Sequence, residues 1–170
     1  NEENKNIMLG IGIGIPRMSR VGLRVGDTYQ GGIVFYVSGS SGLISSASDQ
    51  SSAQWGCQGT NLSGAAGTDI GTGAQNTIDI NAGCTTANIA ADVCRDLDLN
   101  GYTDWFLPSK DELNQMYIHR ATIGNFTTGN YWSSSEAGPG TAWLQVFNTG
   151  SQVNTTGKSS ALVFRAIRAF

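Results

Sequence analysis

Apolar positions along the chain fall into short runs separated by long polar stretches rich in Gly, Ser, Thr and Asn. Residues 7–15 (IMLGIGIGI) alternate strictly: Ile7, Leu9, Ile11, Ile13 and Ile15 share one side, with Gly10, Gly12 and Gly14 between them. That period of two predicts an extended segment with one apolar face. Gly on the other face lets a second backbone approach closely. Residues 33–37 (IVFYV) predict a strand entered from Gly31-Gly32, and 43–46 (LISS) a second strand after a Ser-Gly turn. Residues 48–83 read as one long polar loop around Trp55, a length that calls for a function or a staple.

Helical spacing enters next. Ile89, Ala90, Val93, Cys94 and Leu97 predict a helix over 86–98, capped by Thr86 and ended at Asn100-Gly101. A second helix is predicted over 109–120. Ser109 and Glu112 form a capping box, and Leu113, Met116 and Tyr117 form its apolar stripe. The final forty residues return to strands, at 131–134, 142–147, near 151–155 and 161–170, with turns at Gly138-Pro139-Gly140 and Asn148-Thr149-Gly150. Strands, two helices and then antiparallel strands make an α+β domain over residues 26–170, preceded by an arm over 1–25. The arm is expected to pack against a partner subunit or host assembly, or to fold back on its own domain.

Composition narrows the class. Gly numbers 23 of 170 residues and charged residues only 14%, so the chain reads as loop-rich and outward-facing. Four Trp, five Tyr and six Phe supply a core and argue against disorder. The net charge of -3 does not suit a nucleic-acid binder. Its distribution is uneven: residues 137–170 carry Lys158, Arg165 and Arg168 and no acid. No run is long enough to span a bilayer, and the apolar arm is a poor fit to a signal peptide.

Candidate chemistry is sparse. His119 is the only His, and no catalytic triad, nucleophile elbow or phosphate loop is present, so an enzyme is not expected. No metal or cofactor is expected either. Asp96, Asp98 and Asn100 imitate part of a calcium loop but lack its closing Glu. Of three cysteines, Cys94 belongs to a helical apolar face, which leaves Cys57 and Cys84, both in Gly-rich loops, as the candidate disulfide. On the strand at 142–147, Ala142, Leu144 and Val146 are the natural inward face. Trp143, Gln145 and Phe147 are then expected outward as a contact face, joined by Asn148, Gln152, Asn154 and Lys158 from the adjoining turns. Arg165 and Arg168 are open to two readings: contacts to an anionic ligand, or structural pairs with Asp104, Asp111 or Glu112. Trp105 and Trp132 are read as core.

Four stretches, in order, carry a resemblance: GDTYQGGIVFYV at 26–37, GYTDWFLPSKDEL at 101–113, YWSSSE at 131–136 with Ala142-Trp143, and VFRAIRAF at 163–170. They resemble a bacterial family whose members include the C-terminal domain of the Legionella collagen-like adhesin. The resemblance implies a C-type-lectin-like fold, extracellular display on a cell surface, a homotrimer, and binding of a glycan or host-surface receptor. The glycans implied are mucin or glycosaminoglycan-like. The calcium-binding triplets of calcium-dependent lectins are missing from this chain. The arm resembles N-terminal arms of small phage virion proteins. That likeness implies the alternative of a virion-surface decoration or fibre protein, held to capsid or tail proteins through Ile7, Leu9, Ile11, Ile13 and Ile15.

Overall fold

The computed structural model describes residues 22–170. The apolar arm, Ile7 to Ile15, lies outside the described residues. Among the described residues, two sheets and four helices form the domain. The first sheet has the order β1 (Thr28–Tyr29), β2 (Gly32–Ser38), β3 (Ser41–Ser45) and β9 (Ile167–Ala169). The second has the order β4 (Ser51–Ala53), β8 (Leu162–Phe164), β5 (Asn130–Gly138), β6 (Thr141–Val146) and β7 (Gln152–Val153). All pairings are antiparallel except β5 with β8, where Tyr131 lies beside Val163 in parallel. The C-terminal strand thus returns to β3, near the start of the described chain.

The expected strand over 161–170 is two strands. Phe164 pairs with Ser51 in the second sheet, whereas Ile167 pairs with Ser45 in the first. Between them, Arg165 and Ala166 carry the chain from one sheet to the other and are fully buried. Arg165 fixes this crossing: its guanidinium bonds to Asp49 at 2.7 Å and to the Gly124 carbonyl at 2.9 Å. Arg168 pairs with Asp104 at 2.6 Å. Both arginines therefore take structural partners. For Arg165 the partner is Asp49, which was not among the acids expected. The Arg168 hydrogen bond is the main reason the Asp104 carboxyl lies below its ordinary range.

The helices lie between β4 and β5 in the chain: α1 (Gly73–Gly83), α2 (Ala90–Arg95), α3 (Lys110–Ile118) and the short α4 (Arg120–Ile123). The 48–83 stretch is not one loop, because α1 and β4 lie inside it. The buried positions of α1 are Gly73, Asn76, Thr77 and Ile80, at helical spacing but mostly polar. Their partners explain why such a face is tolerated. Asn76 bonds to Gly67 and Ser134, and the Thr77 hydroxyl takes the Leu107 N–H at 3.0 Å. A Cβ at Gly73 would run into the Glu112 carboxylate and the Leu107 carbonyl. The helix expected over 86–98 is only one and a half turns. Ile89 is extended, Asn88 sits at φ 59°, and Thr86 faces Cys57 rather than capping the helix.

The capping box of α3 is formed. Ser109 Oγ accepts from Glu112 N at 3.3 Å, and Glu112 accepts from Ser109 N at 2.7 Å. Glu112 also accepts from Gly71 N at 2.8 Å, tying α3 to the entry of α1. Burial raises the Glu112 carboxyl above its ordinary value, and the N–H donors around it oppose the shift only in part. A raised carboxyl favours the folded state most below its ordinary titration range, and that contribution is lost as pH rises through the folded value. The stability difference between the native chain and Glu112→Gln is therefore expected to move in favour of the variant as pH rises from 4 to 7. Urea unfolding at several pH values measures it; a difference that is flat with pH removes this assignment.

Two apolar clusters fill the domain. One gathers Val34, Ile44, Trp55, Trp105, Trp132, Leu144 and Phe164. The other gathers Phe35, Leu113, Met116, Tyr131, Phe147 and Ile167. Neighbours Tyr131 and Trp132 point into different clusters, so the second sheet is covered on both faces.

Candidate functional site

The two-sided burial of the second sheet decides where a contact surface can lie. On β6, Ala142 and Leu144 enter the larger cluster, as the alternation predicts. Gln145 and Phe147 were expected outward and are instead buried. The reason is α3, which packs over that face. Phe147 stacks against Tyr131 with ring centroids 4.2 Å apart and meets Tyr117 edge-on at 5.6 Å. Gln145 donates to the Gly150 carbonyl at 2.6 Å, while its Oε1 has no protein partner.

Lys158, expected with the contact residues of the adjoining turns, is instead fully buried. Its ammonium pairs with Glu136, donates to the Thr60 carbonyl at 2.8 Å, and lies 4.5 Å from the centre of the Trp55 ring. It is not available to a ligand in this arrangement.

Trp143, Asn148, Gln152 and Asn154 remain at the surface, Asn148 and Asn154 exposed and Trp143 and Gln152 partly so. Trp143 is anchored through its backbone, whose carbonyl accepts from Ser133 Oγ at 2.8 Å. Lys110, the first residue of α3, holds its ammonium 5.3 Å from the centre of the Trp143 ring. Gln152 donates to the Lys110 carbonyl at 2.9 Å, so β7 and the start of α3 are tied beside the indole. The Lys110 ammonium also pairs with Asp111 at 2.8 Å. The result is an aromatic surface with a cation, an anion and amide groups around it. Lys110 was not anticipated as part of this surface. Its sequence position only marks a helix start, and nothing local says which strand that start meets.

A shallow hollow lies toward the other end of α3. It has a volume of about 350 Å³, lined by Arg120, Gly124, Asn125, Phe126, Thr128 and Phe147 among others. Cys57 and Cys84 are joined by a disulfide with Cα atoms 5.6 Å apart. Cys94 is free and fully buried, and burial pushes its thiol far above its ordinary value. Among the described residues, no group of three or more His, Cys, Asp or Glu is placed to hold a metal ion.

Two sheets joined by the terminal strand, helices contributing to both apolar clusters and a loop-rich remainder define an α+β domain. Residues 45–168 match the model of the Lcl C-terminal domain family, and the chain belongs to that family. No curated protein matches the chain. Membership in this family supports an adhesin-like module displayed at a surface. No helix among the described residues is long and apolar enough to cross a membrane.

Proposed function

We propose that the domain is a non-enzymatic recognition module that binds carbohydrate, of mucin or glycosaminoglycan-like type, through the surface around Trp143. One observation carries the reading: a partly exposed indole with a lysine ammonium 5.3 Å from its centre and the Gln152 amide tied alongside. A flat aromatic face suits the C–H face of a pyranose, and neighbouring amide and ammonium groups suit its hydroxyls. Asn148 and Asn154 are both exposed, and Asn154 follows Val153, the β7 partner of Leu144.

Trp143→Ala is expected to weaken binding to immobilised mucin about tenfold, the scale of a hot-spot aromatic. The chain should stay folded, because Trp143 is not part of either buried cluster. Surface plasmon resonance on the full chain measures this. Absence of binding to mucin, sulfated and neutral glycans alike overturns the reading. The virion alternative rests on the arm outside the described residues, and no feature of the fold favours it.

A further inference from the structure

The hollow beside α4 is built more rigidly than a surface loop requires. Gly124 and Asn125 both adopt positive φ, 76° and 58°, a region that Gly and Asn enter more readily than other residues. That kink turns two successive carbonyls inward onto the buried Arg165, at 2.9 Å and 2.5 Å. Asn125 Nδ2 donates to the Ala47 carbonyl at 3.1 Å, and Thr127 N donates to the Tyr131 hydroxyl at 2.8 Å. Phe126 lies between the Arg165 guanidinium, 3.7 Å from its centre, and the Phe147 ring at 4.6 Å. The wall is therefore preorganised, and ordering it costs a ligand little.

Arg120 lines the same hollow. It is exposed, yet its guanidinium is stacked 4.0 Å from the centre of the Tyr117 ring, and one terminal nitrogen donates to the Tyr117 carbonyl at 2.8 Å. No acid among the described residues pairs with it. The bond to Tyr117 occupies one terminal nitrogen. Nε and the second terminal nitrogen have no partner among the described residues. That free edge is a two-donor fork whose spacing matches the two oxygens of a carboxylate. The Thr128 hydroxyl and the Asn125 Oδ1 also have no partner among the described residues, and both residues line the same hollow.

We propose that this hollow is a subsite for a carboxylate-bearing sugar residue. Arg120 grips the carboxylate, and Thr128 and Asn125 take hydroxyls. The inference rests on the glycan-binding reading above and adds a second place and a chemical class to it. The hollow's volume of about 350 Å³ suits one sugar residue, not a longer enclosed chain.

The probe is 3′-sialyllactose, with lactose as the uncharged control, titrated into the full chain and followed by saturation-transfer NMR and calorimetry. Sialyllactose is expected to bind at least about tenfold more tightly than lactose. Arg120→Gln is expected to remove that preference, and Thr128→Ala to weaken sialyllactose roughly fivefold. Both residues are exposed, and unchanged thermal unfolding checks that the variants fold. Equal affinity for the two sugars, or a preference that survives Arg120→Gln, overturns the subsite. If mucin binding is nonetheless present and sensitive to Trp143→Ala, only this inference falls. If no glycan binds at all, the glycan-binding reading falls with it.

Discussion

Lys158→Met is expected to lower the unfolding free energy by about 3–5 kcal/mol, the cost of leaving a buried charge without its partner. Methionine preserves most of the side chain's volume, so the loss is electrostatic and not a cavity effect. Glu136 is 6% exposed and would lose the cation it pairs with. It would keep the Leu62 N–H, which reaches its two oxygens at 2.9 Å and 3.1 Å. One backbone donor does not offset the desolvation of a carboxylate. The Thr60 carbonyl would also lose the lysine, at 2.8 Å, and the segment over Trp55 would lose its clamp. The double variant Lys158→Met/Glu136→Leu is expected to recover a large part of the loss, because an apolar pair needs no partner. Urea unfolding of the two single variants and the double variant closes the cycle. A cost below about 1 kcal/mol for Lys158→Met alone would falsify the view that this pair is an interior clamp.

The same lysine shows where sequence reasoning runs out. In Thr155-Thr156-Gly157-Lys158-Ser159-Ser160 every neighbour signals a solvated turn. The residue is interior because a distant segment, 55–62, lies over it. Trp55 N and Gly56 N both donate to the Lys158 carbonyl, and the Lys158 N–H donates to Gly140. Nothing in the local pattern encodes that cover. By contrast, β2 and α3 were readable, since IVFYV and the Ser109–Glu112 box state their conformation within a few residues. Helix α1 was not readable, because its buried face uses Asn76 and Thr77 where a pattern search expects apolar groups. On β6 the alternation holds, but α3 covers the face that an antiparallel sheet often leaves to solvent. A sheet covered on both sides buries Gln145 and Phe147 as well as Leu144. Of the candidate surface, Trp143, Asn148, Gln152 and Asn154 were legible as polar or aromatic positions near turns. Lys110 and Arg120 were not, because each becomes part of a surface only through the path of α3.

Replacing both Cys57 and Cys84 with serine is expected to cost about 3–4 kcal/mol, the chain-entropy value for a loop of this size. The disulfide joins residues 27 positions apart and closes a segment rich in Gly and Ala. That segment buries little apolar surface: Leu62, Ala65 and Ile80 are its buried apolar members. Its order rests instead on the disulfide and on hydrogen bonds such as Asn76 with Gly67 at 2.6 Å. Freed from the bridge, it has more conformational entropy to lose than the packed strands do. Thermal unfolding should therefore fall by roughly 10 °C in a domain of this size. The loss should also be local before it is global. Amide exchange at Asn76 to Ile80 in α1 should accelerate more than at Val34 and Phe35 in β2, because Cys84 caps the C-terminal end of α1. Reduction of the native chain should reproduce both effects, since the buried Cys94 thiol stands apart from the bridge. A change of less than about 2 °C, or equal acceleration in both elements, would show that the hydrogen bonds alone hold the segment. A stabilising bridge of this kind also fits a domain displayed at a surface, where oxidising conditions preserve disulfides.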